Sequence, residues 1–411
     1  MKVLWFCNAE FSELKSAATG TWLHSMANAL VNSGEVQLYN ITQGKVKHIT
    51  RHDHQSITQW LVPVQSLTKF GLPRSKTIYE IQQIVNEVKP DVIHIWGTES
   101  YWGLLTARGY LKGNVILEIQ GLKFVIEKYI YSGLSSLDIF RCFGLKELLK
   151  PSVSLPGVKS SFRQWGKFEK EMLMKHHIIS TQSNWVRTYV KNLNPFAQVF
   201  NTTILLRNDF LEANKWEMES CVPYQIFTST SSSISYKGLH ILFDAVAILK
   251  LRFPKIRLCI AGSIKSGIRQ DGYSKWLQRK AKKLGILENI FWLGSLNAHN
   301  IVNQMYNANV VVVPSFVESY CLALEEALMV GVPTVVSFAG AMPELAVHEK
   351  TALFFPPGDA AMCANAIEIF FEDKEYANTI SQNAYNEKVV KKELNIAQIQ
   401  LSIYANILSA N

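Results

Sequence analysis

The chain has 411 residues, of which 48% are hydrophobic and 18% charged, a composition that is typical of globular proteins and excludes a disordered one. This length is enough for two domains of ordinary size. The net charge of +9 suits an anionic partner such as a nucleotide or a membrane surface, but no nucleic-acid-binding motif accompanies it, so we expect no nucleic acid partner.

Neither the cysteines nor the apolar segments indicate secretion or a membrane span. The six cysteines include no C-x-x-C pair and several lie in apolar segments, so we expect reduced thiols in a cytoplasmic protein. The apolar N-terminus, Met1 to Asn8, is too short for a signal peptide and fits a first strand. No run of 18 apolar residues occurs, so we expect no segment to cross a membrane.

The first part of the chain alternates strand and helix patterns. Val3 to Cys7 is a predicted strand, and a loop of small polar residues separates it from an amphipathic helix that begins near Leu23. A strand, a small-residue loop and a helix can face a phosphate, although tight packing explains the same pattern equally well.

One short segment, Arg51-His-Asp-His54, looks like a metal-binding cluster. Its two histidines fall in one turn and have no distant partner in the sequence, which is more typical of surface residues. We therefore expect no metal site.

Two predicted strands of the first part end in residues that suit a ligand. Strand 91–97 is followed by Glu99, and strand 115–121 carries Gln120 near its end. Ligands of open α/β sheets lie beyond the carboxyl ends of the strands, so we expect Thr98 and Glu99, with His94, to border an acceptor. His94 is explained equally well as a core histidine.

The segment 123–175 combines basic with aromatic residues. It holds ten basic residues against five acidic ones, with eight aromatic side chains among them. Basic helices with aromatic faces can lie on an anionic membrane, and an ordinary helical insertion with a solvated basic side is the alternative.

A second series of strands and helices follows a polar break at 206–223. Strand 224–230 leads through a serine-rich loop to Lys237 and Gly238, which stand directly before a predicted helix. A lysine at the N-terminal end of a helix is unfavourable for the helix dipole, which suggests that an anion such as phosphate compensates it. A solvated lysine is the ordinary alternative.

The segment 310–337 carries the strongest signal in the chain. Four valines form a buried strand, a helix is expected to start near Ser319 to Cys321, and a second parallel strand follows, so that the unit is βαβ. Glu318 lies in the strand-to-helix loop and Glu326 about two helical turns later, a span of about 12 Å. Because free amides at a helix N-terminus hold phosphate, the two carboxylates could bind hydroxyls on either side of a diphosphate. In the alternative, Glu318 only caps the helix and Glu326 is solvated.

This segment resembles the E-x7-E signature of retaining glycosyltransferases of the GT-B fold, of the family 4 type. The residues in register with the family pattern are Pro314, Ser315, Glu318, Leu322, Glu326, Ala327, Gly331, Pro333, Val335, Val336, Gly340, Pro343 and Glu344. Ser319, Tyr320 and Cys321 replace the family's Gly-Phe-Gly, and Glu325 replaces a leucine.

The resemblance implies an α/β chain of GT-B fold, with two Rossmann-like βαβ domains whose parallel sheets face a central cleft. The expected division is an acceptor-binding domain over 1–206, a linker over 207–223, a nucleotide-sugar domain over 224–390 and a closing helix over 391–411. In the family, this closing segment crosses back to the first domain.

The resemblance also implies roles for single residues. Lys237 and Glu318 would be catalytic, with the lysine on the diphosphate and the glutamate on the transferred sugar, and Glu326 would bind ribose hydroxyls. The other donor contacts would come from Gly20, Ser232, Gly238, Ser319, Tyr320, Cys321, Leu322, Gly294 and Leu296.

Two positions depart from the family in charge or proton chemistry. Ser232 stands where the family has an arginine on the diphosphate, and Lys265 or Arg269 would be the substitutes. On the acceptor side, Gln120 stands where the family often has a histidine; it can hydrogen-bond a hydroxyl but cannot shuttle protons.

The implied function is retaining transfer of a hexose-type sugar from a nucleotide-diphosphate sugar to a saccharide or lipid-linked acceptor in surface polysaccharide synthesis. No metal or cofactor is expected, and the protein would work in the cytoplasm, with peripheral contact to the inner membrane face through 123–175. The alternatives are a sugar-nucleotide epimerase or phosphorylase-like enzyme of the same fold, or a catalytically silent nucleotide-sugar-binding or scaffold subunit.

Overall fold

The computed structural model describes residues 1–12, 21–230, 234–262 and 270–409, and the chain forms two compact units. Unit 1 consists of Met1–Phe124, Arg163–Arg207 and Asn395–Asn411, and unit 2 consists of Val125–Phe162 and Asn208–Leu394. The break after Arg207 falls at the start of the expected linker. Unit 1 nevertheless differs from the expected first domain, because residues 125–162 pack with the later part of the chain.

Unit 1 contains, within the described residues, one sheet of eight strands. They are β1 (Lys2–Phe6), β2 (Gln37–Gly44), β3 (Thr50–His54), β4 (Ile57–Pro63), β5 (Val92–Trp96), β6 (Val115–Ile119), β7 (Ile178–Thr181) and β8 (Gln198–Asn201). The order is β3-β4-β2-β1-β5-β6-β7-β8, parallel throughout except for the β3–β4 pair. The candidate metal segment 51–54 lies in the largely exposed edge strand β3.

Unit 2 contains, within the described residues, one parallel sheet of six strands. They are β9 (Gln225–Ser229), β10 (Arg257–Ala261), β11 (Ile290–Gly294), β12 (Val310–Val313), β13 (Thr334–Ser337) and β14 (Leu353–Phe355). The order is β11-β10-β9-β12-β13-β14. The four valines of β12 are at most 6% exposed, as expected for a strand that helices cover on both faces.

The helices of both units connect these strands. In chain order they are α1 (Thr21–Asn32), α2 (Ser75–Val88), α3 (Trp102–Ala107), α4 (Lys123–Ile126), α5 (Ser136–Arg141), α6 (Leu145–Leu149), α7 (Leu155–Lys175), α8 (Asn184–Leu193), α9 (Asn208–Leu211), α10 (Leu239–Lys250), α11 (Gly272–Lys283), α12 (Ala298–Tyr306), α13 (Leu322–Val330), α14 (Met342–Leu345), α15 (Ala360–Glu372), α16 (Lys374–Val389) and α17 (Ile396–Ser409).

Helical periodicity explains which faces are buried. In α2, residues Ile78, Ile81 and Val85 recur at helical spacing and are at most 8% exposed. The closing helix α17 is held to the sheet of unit 1 in the same way, and it adds a polar anchor: the Trp5 indole N–H donates to the Tyr404 hydroxyl at 3.1 Å.

Candidate active site

The strand order of unit 2 places a crevice between β9 and β12. From β9 the sheet continues through β10 and β11 to one side, and from β12 through β13 and β14 to the other, so the chain crosses over in opposite directions from this point. In open α/β sheets, such a switch point opens a ligand crevice at the carboxyl ends of the strands. Lys237 follows β9 and Glu318 follows β12, so the topology brings these two predicted residues together.

Lys237 and Glu318 form an ion pair. The Lys237 ammonium lies 2.7 Å from Glu318 Oε1, and the two side chains are 25% and 12% exposed. Burial by itself would lower the pKa of Lys237, but the Glu318 carboxylate, assisted by Tyr236 and Cys321, raises it above its ordinary value. Lys237 is therefore a fixed cation, and its three N–H donors allow it to hold Glu318 and a phosphate oxygen together.

The loop that carries Glu318 is fixed on two sides. The Ser315 hydroxyl donates to the same Oε1 at 2.6 Å, and the backbone N–H of Ala341 donates to the Glu318 carbonyl at 2.9 Å. Gly340 passes so close that a Cβ atom there would come within 2.0 Å of the Glu318 carbonyl oxygen. The Gly-rich turn after β13 thus positions the backbone of Glu318.

Gly238 allows the turn that carries Lys237 to pass close to Pro314. Its φ of +72° lies in the left-handed region, and a Cβ atom would approach the Pro314 carbonyl oxygen to 1.9 Å. Nearby, the Ser235 hydroxyl donates to the Ile130 carbonyl at 2.5 Å, so the inserted segment 125–162 braces the turn that presents Lys237.

Cys321 is the strained residue of the site. It stands directly before α13 with a φ of +94°, a backbone conformation that favours glycine, and its side chain is 7% exposed. This geometry explains the glycine of the family pattern at this position. Burial raises the pKa of the thiol well above its ordinary range, so Cys321 is not a thiolate.

Helix α13 begins at Leu322 with Cys321 as its N-cap, directly after the expected start near Ser319 to Cys321. Glu326 is 7% exposed, so it is not the solvated helix residue of the alternative interpretation. Burial, followed by the neighbouring charge of Glu325, raises the pKa of the Tyr320 hydroxyl, which is therefore neutral.

Sequence reasoning missed the role of Glu325. Its side chain is 3% exposed, and it lies 2.7 Å from the Lys391 ammonium and 3.4 Å from that of Lys388. Lys388 is itself 4% exposed and donates to the Leu345 carbonyl at 2.8 Å. The sequence carried one signal for this pairing: Glu325 replaces a leucine on a buried helix face. A buried carboxylate needs a cation, so a lysine partner could have been expected.

The remaining predicted donor residues are only partly described. Gly294 ends β11 with a φ of +72° and accepts from the Gly262 N–H at 2.8 Å, and Leu296 follows it as a half-buried residue. Gly20, Ser232, Lys265 and Arg269 lie outside the described residues.

His94, predicted for the acceptor side, lies in the core of unit 1. Its ring is fully buried in the middle of β5, stacks on Trp96 at a centroid distance of 3.7 Å, and contacts the Tyr404 hydroxyl through Nδ1 at 2.8 Å. Burial holds the pKa of His94 well below its ordinary value, so the ring is neutral. These contacts correspond to the alternative of a core histidine.

Glu99 and Gln120 do come together, at the carboxyl ends of the neighbouring strands β5 and β6. Both side chains border Gly97, where a Cβ atom would lie 2.1 Å from Glu99 Oε2 and 3.6 Å from the Gln120 side-chain carbonyl carbon. Burial raises the pKa of Glu99, although the nearby Lys123 works against this shift. The sequence analysis missed Glu169, which accepts from the Thr98 hydroxyl at 2.7 Å in the same region.

Two other features, a metal cluster and a membrane-spanning helix, are absent from the described part of the chain. No group of three or more histidine, cysteine, aspartate or glutamate side chains is placed to hold a metal ion there. Within the same residues, no helix has both the length and the apolar character needed to cross a membrane.

Part of the chain resembles known glycosyltransferases in sequence. Residues 215–387 match the family model described as glycosyl transferases group 1. The chain is 28% identical over 195 residues to an uncharacterized glycosyltransferase, YqgM, of Bacillus subtilis, an alignment that covers 47% of this chain and 52% of that protein. It is 30% identical over 137 residues to a glycogen synthase of Mycobacterium tuberculosis, covering 33% of this chain and 31% of that protein. The chain thus spans about half or less of the length of these relatives.

Structural comparison covers the whole chain. Sucrose-phosphate synthase from Thermosynechococcus elongatus matches with a TM-score of 0.75 at 16% identity, over 100% of both chains. HepE of Anabaena, solved in complex with UDP and glucose, matches with a TM-score of 0.67 at 17% identity, over 98% of this chain and 100% of that chain. At these identities the likeness shows the fold, which is the α/β fold of GT-B proteins with two Rossmann-like units.

Proposed function

We propose that the chain is a glycosyltransferase that uses a nucleotide-diphosphate sugar, because residues 215–387 match the family model of glycosyl transferases group 1. The proposed reaction transfers a hexose-type sugar, with retention at the anomeric carbon, to a saccharide or lipid-linked acceptor. The observation that carries this proposal is the Lys237–Glu318 pair, which lies at the switch point of the second sheet and directly before α13.

The donor would be held by charge and by free amides. In this proposal the Lys237 ammonium and the backbone N–H groups from Ser319 to Leu322 bind the diphosphate, since the N-terminal end of a helix attracts anions. Glu326, eight residues after Glu318, binds ribose hydroxyls as a carboxylate acceptor.

The same groups would lower the barrier to transfer. As the bond between the sugar and the diphosphate breaks, negative charge grows on the phosphate and positive charge on the anomeric carbon. Lys237 and the amides stabilise the phosphate, Glu318 stabilises the sugar, and the departing phosphate takes the proton of the acceptor hydroxyl. The proposed chemistry therefore needs neither a metal nor a cofactor.

One structural relative suggests which donor nucleotide to test first, and the first sheet suggests residues for the acceptor. HepE of Anabaena was solved with UDP-glucose, which makes UDP the first nucleotide to test here. Glu99 and Gln120, together at the end of the first sheet, are proposed to border the acceptor. We place the reaction in surface polysaccharide synthesis in the cytoplasm.

A second candidate is a subunit that binds a nucleotide sugar without transferring the sugar. The observation that favours it is Cys321, whose side chain takes up space before α13 that a glycine would leave to a phosphate. An epimerase of the same fold is distinguished by its product, because it needs no acceptor.

The first test is thermal unfolding of the wild type and of Lys237→Ala with UDP, GDP, ADP and CDP. A nucleotide at one hundred times its Kd stabilises the folded protein by about 2.7 kcal/mol, so one of the four should raise the Tm of the wild type and not that of the variant. No shift with any nucleotide would contradict the donor site.

The second test separates transfer from binding. Acceptor-dependent release of the nucleoside diphosphate from a nucleotide sugar should be lost in Glu318→Ala, while binding of the nucleoside diphosphate remains. Wild-type turnover in that variant would remove Glu318 from the mechanism, and nucleotide binding without turnover in the wild type would favour the silent subunit.

A further inference from the structure

The buried charge of Glu325 connects helix α13 to two lysines near the end of unit 2. Glu325 lies in the first turn of α13, four residues after Cys321 and directly before Glu326. Its Oε1 atom lies 2.7 Å from the Lys391 ammonium, and its Oε2 atom lies 3.4 Å from the Lys388 ammonium. We call Glu325 and these two lysines the Glu325 cluster. It fixes the start of α13 to the end of α16 and the turn that follows it.

Lys388 also contacts a second part of the candidate site. Its ammonium donates to the carbonyl of Leu345, the last residue of α14, at 2.8 Å. Helix α14 directly follows the turn 338–341, in which the backbone N–H of Ala341 donates to the Glu318 carbonyl at 2.9 Å. Lys388 therefore links α13 to the turn that positions the backbone of Glu318.

The inner pair of the cluster is removed from water. The side chains of Glu325 and Lys388 are 3% and 4% exposed, whereas that of Lys391 is 38% exposed. Burial lowers the pKa of Lys388, and the charge of Glu325 opposes this shift. An apolar pair of similar volume would stabilise a protein core equally well, so stability by itself does not explain why charges stand here.

We propose that the Glu325 cluster positions the proposed donor site, by holding the start of α13 and the turn 338–341 in one geometry. Charges that are removed from water resist separation, because each would otherwise remain buried without a partner. Glu325 acts through α13 on the backbone at Cys321 and Leu322, and Lys388 acts through α14 on Glu318. The inference rests on the proposed function, because this geometry affects turnover only if Glu318 and the amides before α13 face the donor.

The test replaces the inner ion pair by apolar side chains. Glu325→Leu combined with Lys388→Met should keep the fold, which urea unfolding checks. The kcat for acceptor-dependent release of the nucleoside diphosphate should fall about tenfold or more, because a misplacement of about 1 Å can cost a factor of about one hundred. KM for the nucleotide sugar should change less than about threefold, since every proposed donor contact remains. A purely structural cluster would leave the kcat of this stable variant at the wild-type value.

Hydrogen exchange provides a readout that does not depend on activity. The amide hydrogen of Ala341 is bonded to the Glu318 carbonyl, so its exchange rate reports whether the turn still holds that backbone. In the double variant we expect exchange at Ala341 to be about tenfold or more faster, while the amides of β12 exchange as in the wild type. Unchanged exchange at Ala341 would overturn the inference whether or not the protein is a transferase.

The matched control is Asp244→Leu combined with Lys280→Met, which removes an ion pair of 2.7 Å between α10 and α11. Its kcat and its exchange at Ala341 should equal those of the wild type. Lys391→Met removes the more exposed lysine of the cluster, so it should spare the fold and lower kcat only about threefold. Wild-type kcat in the double variant of the cluster would overturn the inference alone, whereas absence of turnover in the wild type would contradict the proposed function.

Discussion

Two buried carboxylates in each unit are stabilised in opposite ways. In unit 2, Glu318 and Glu325 each lie 2.7 Å from a lysine ammonium. In unit 1, Glu118 and Glu169 are fully buried among hydroxyl and amide groups, and burial raises the pKa of each to about 7. The two carboxylates of unit 2 are therefore stabilised in their charged form by lysines. In unit 1, burial favours the protonated form of the two carboxylates.

The loops at the two switch points also differ in backbone strain. Gly97 follows β5 with a φ of +97°, and Cys321 follows β12 with a φ of +94°. In unit 1 the left-handed position is occupied by Gly97, and glycine adopts this backbone conformation freely. In unit 2 it is occupied by Cys321, whose side chain makes the same conformation cost about 1–3 kcal/mol. In unit 2, paired charge and a strained backbone thus occur together in the loop that carries Glu318.

The largest expected effect comes from breaking a paired carboxylate. Glu325→Gln leaves the buried Lys388 without the charge that offsets its burial, which already lowers the pKa of this lysine. We expect a loss of about 3–5 kcal/mol in the free energy of unfolding, measured with urea.

Two further variants serve as controls for this prediction. Glu372→Gln removes one partner of Arg252 in a pair whose side chains are 60% and 50% exposed, and it should cost less than about 1 kcal/mol. Glu325→Leu with Lys388→Met should recover most of the lost stability. Equal costs for the buried and exposed pairs would show that Glu325 is not held as the structure indicates.

The next effect tests the protonated carboxylates of unit 1. Because the pKa of Glu118 rises from 4.5 when unfolded to about 7 when folded, the folded state binds the extra proton between these values. Stability should therefore be fully present below about pH 4.5 and fall as the pH rises through 7, by about 3 kcal/mol for this group.

Urea unfolding between pH 5 and 8 measures this slope, and Glu118→Gln should flatten it and gain stability at pH 8. The matched control is Glu349→Gln, at a side chain that is 72% exposed, which should keep the wild-type slope. A slope that Glu118→Gln leaves unchanged would assign the pH dependence to Glu169 or to other groups.

The smallest expected effect is the change in stability when the residue at a left-handed position, Cys321 or Gly97, is replaced. Cys321→Ala keeps the left-handed strain, whereas Cys321→Gly removes it, so the glycine variant should be the more stable of the two by about 1 kcal/mol. At Gly97 the same preference for glycine applies, so Gly97→Ala should lose about 1–3 kcal/mol of stability. Thermal unfolding measures both, and an alanine variant at 321 as stable as the glycine variant would argue against the strain.

Local patterns were enough to predict the strands of the second sheet, such as the four valines of β12. Strand prediction succeeds because hydrophobic periodicity and turn residues act over a few positions of the chain. The choice of Glu318 and Lys237 rested on the family resemblance, and the structure brings the two side chains to 2.7 Å.

Tertiary structure alone decided the remainder. Membership of residues 125–162 in unit 2, the core position of His94 and the pairing of Glu325 with Lys391 each depend on contacts between distant segments. The left-handed backbone of Cys321 depends on the geometry of its loop. Sequence by itself determined which segments form strands and helices, because propensity and periodicity are local. Packing decided which charges are buried, paired or protonated, because burial and electrostatic interaction depend on distances that the order of residues does not specify.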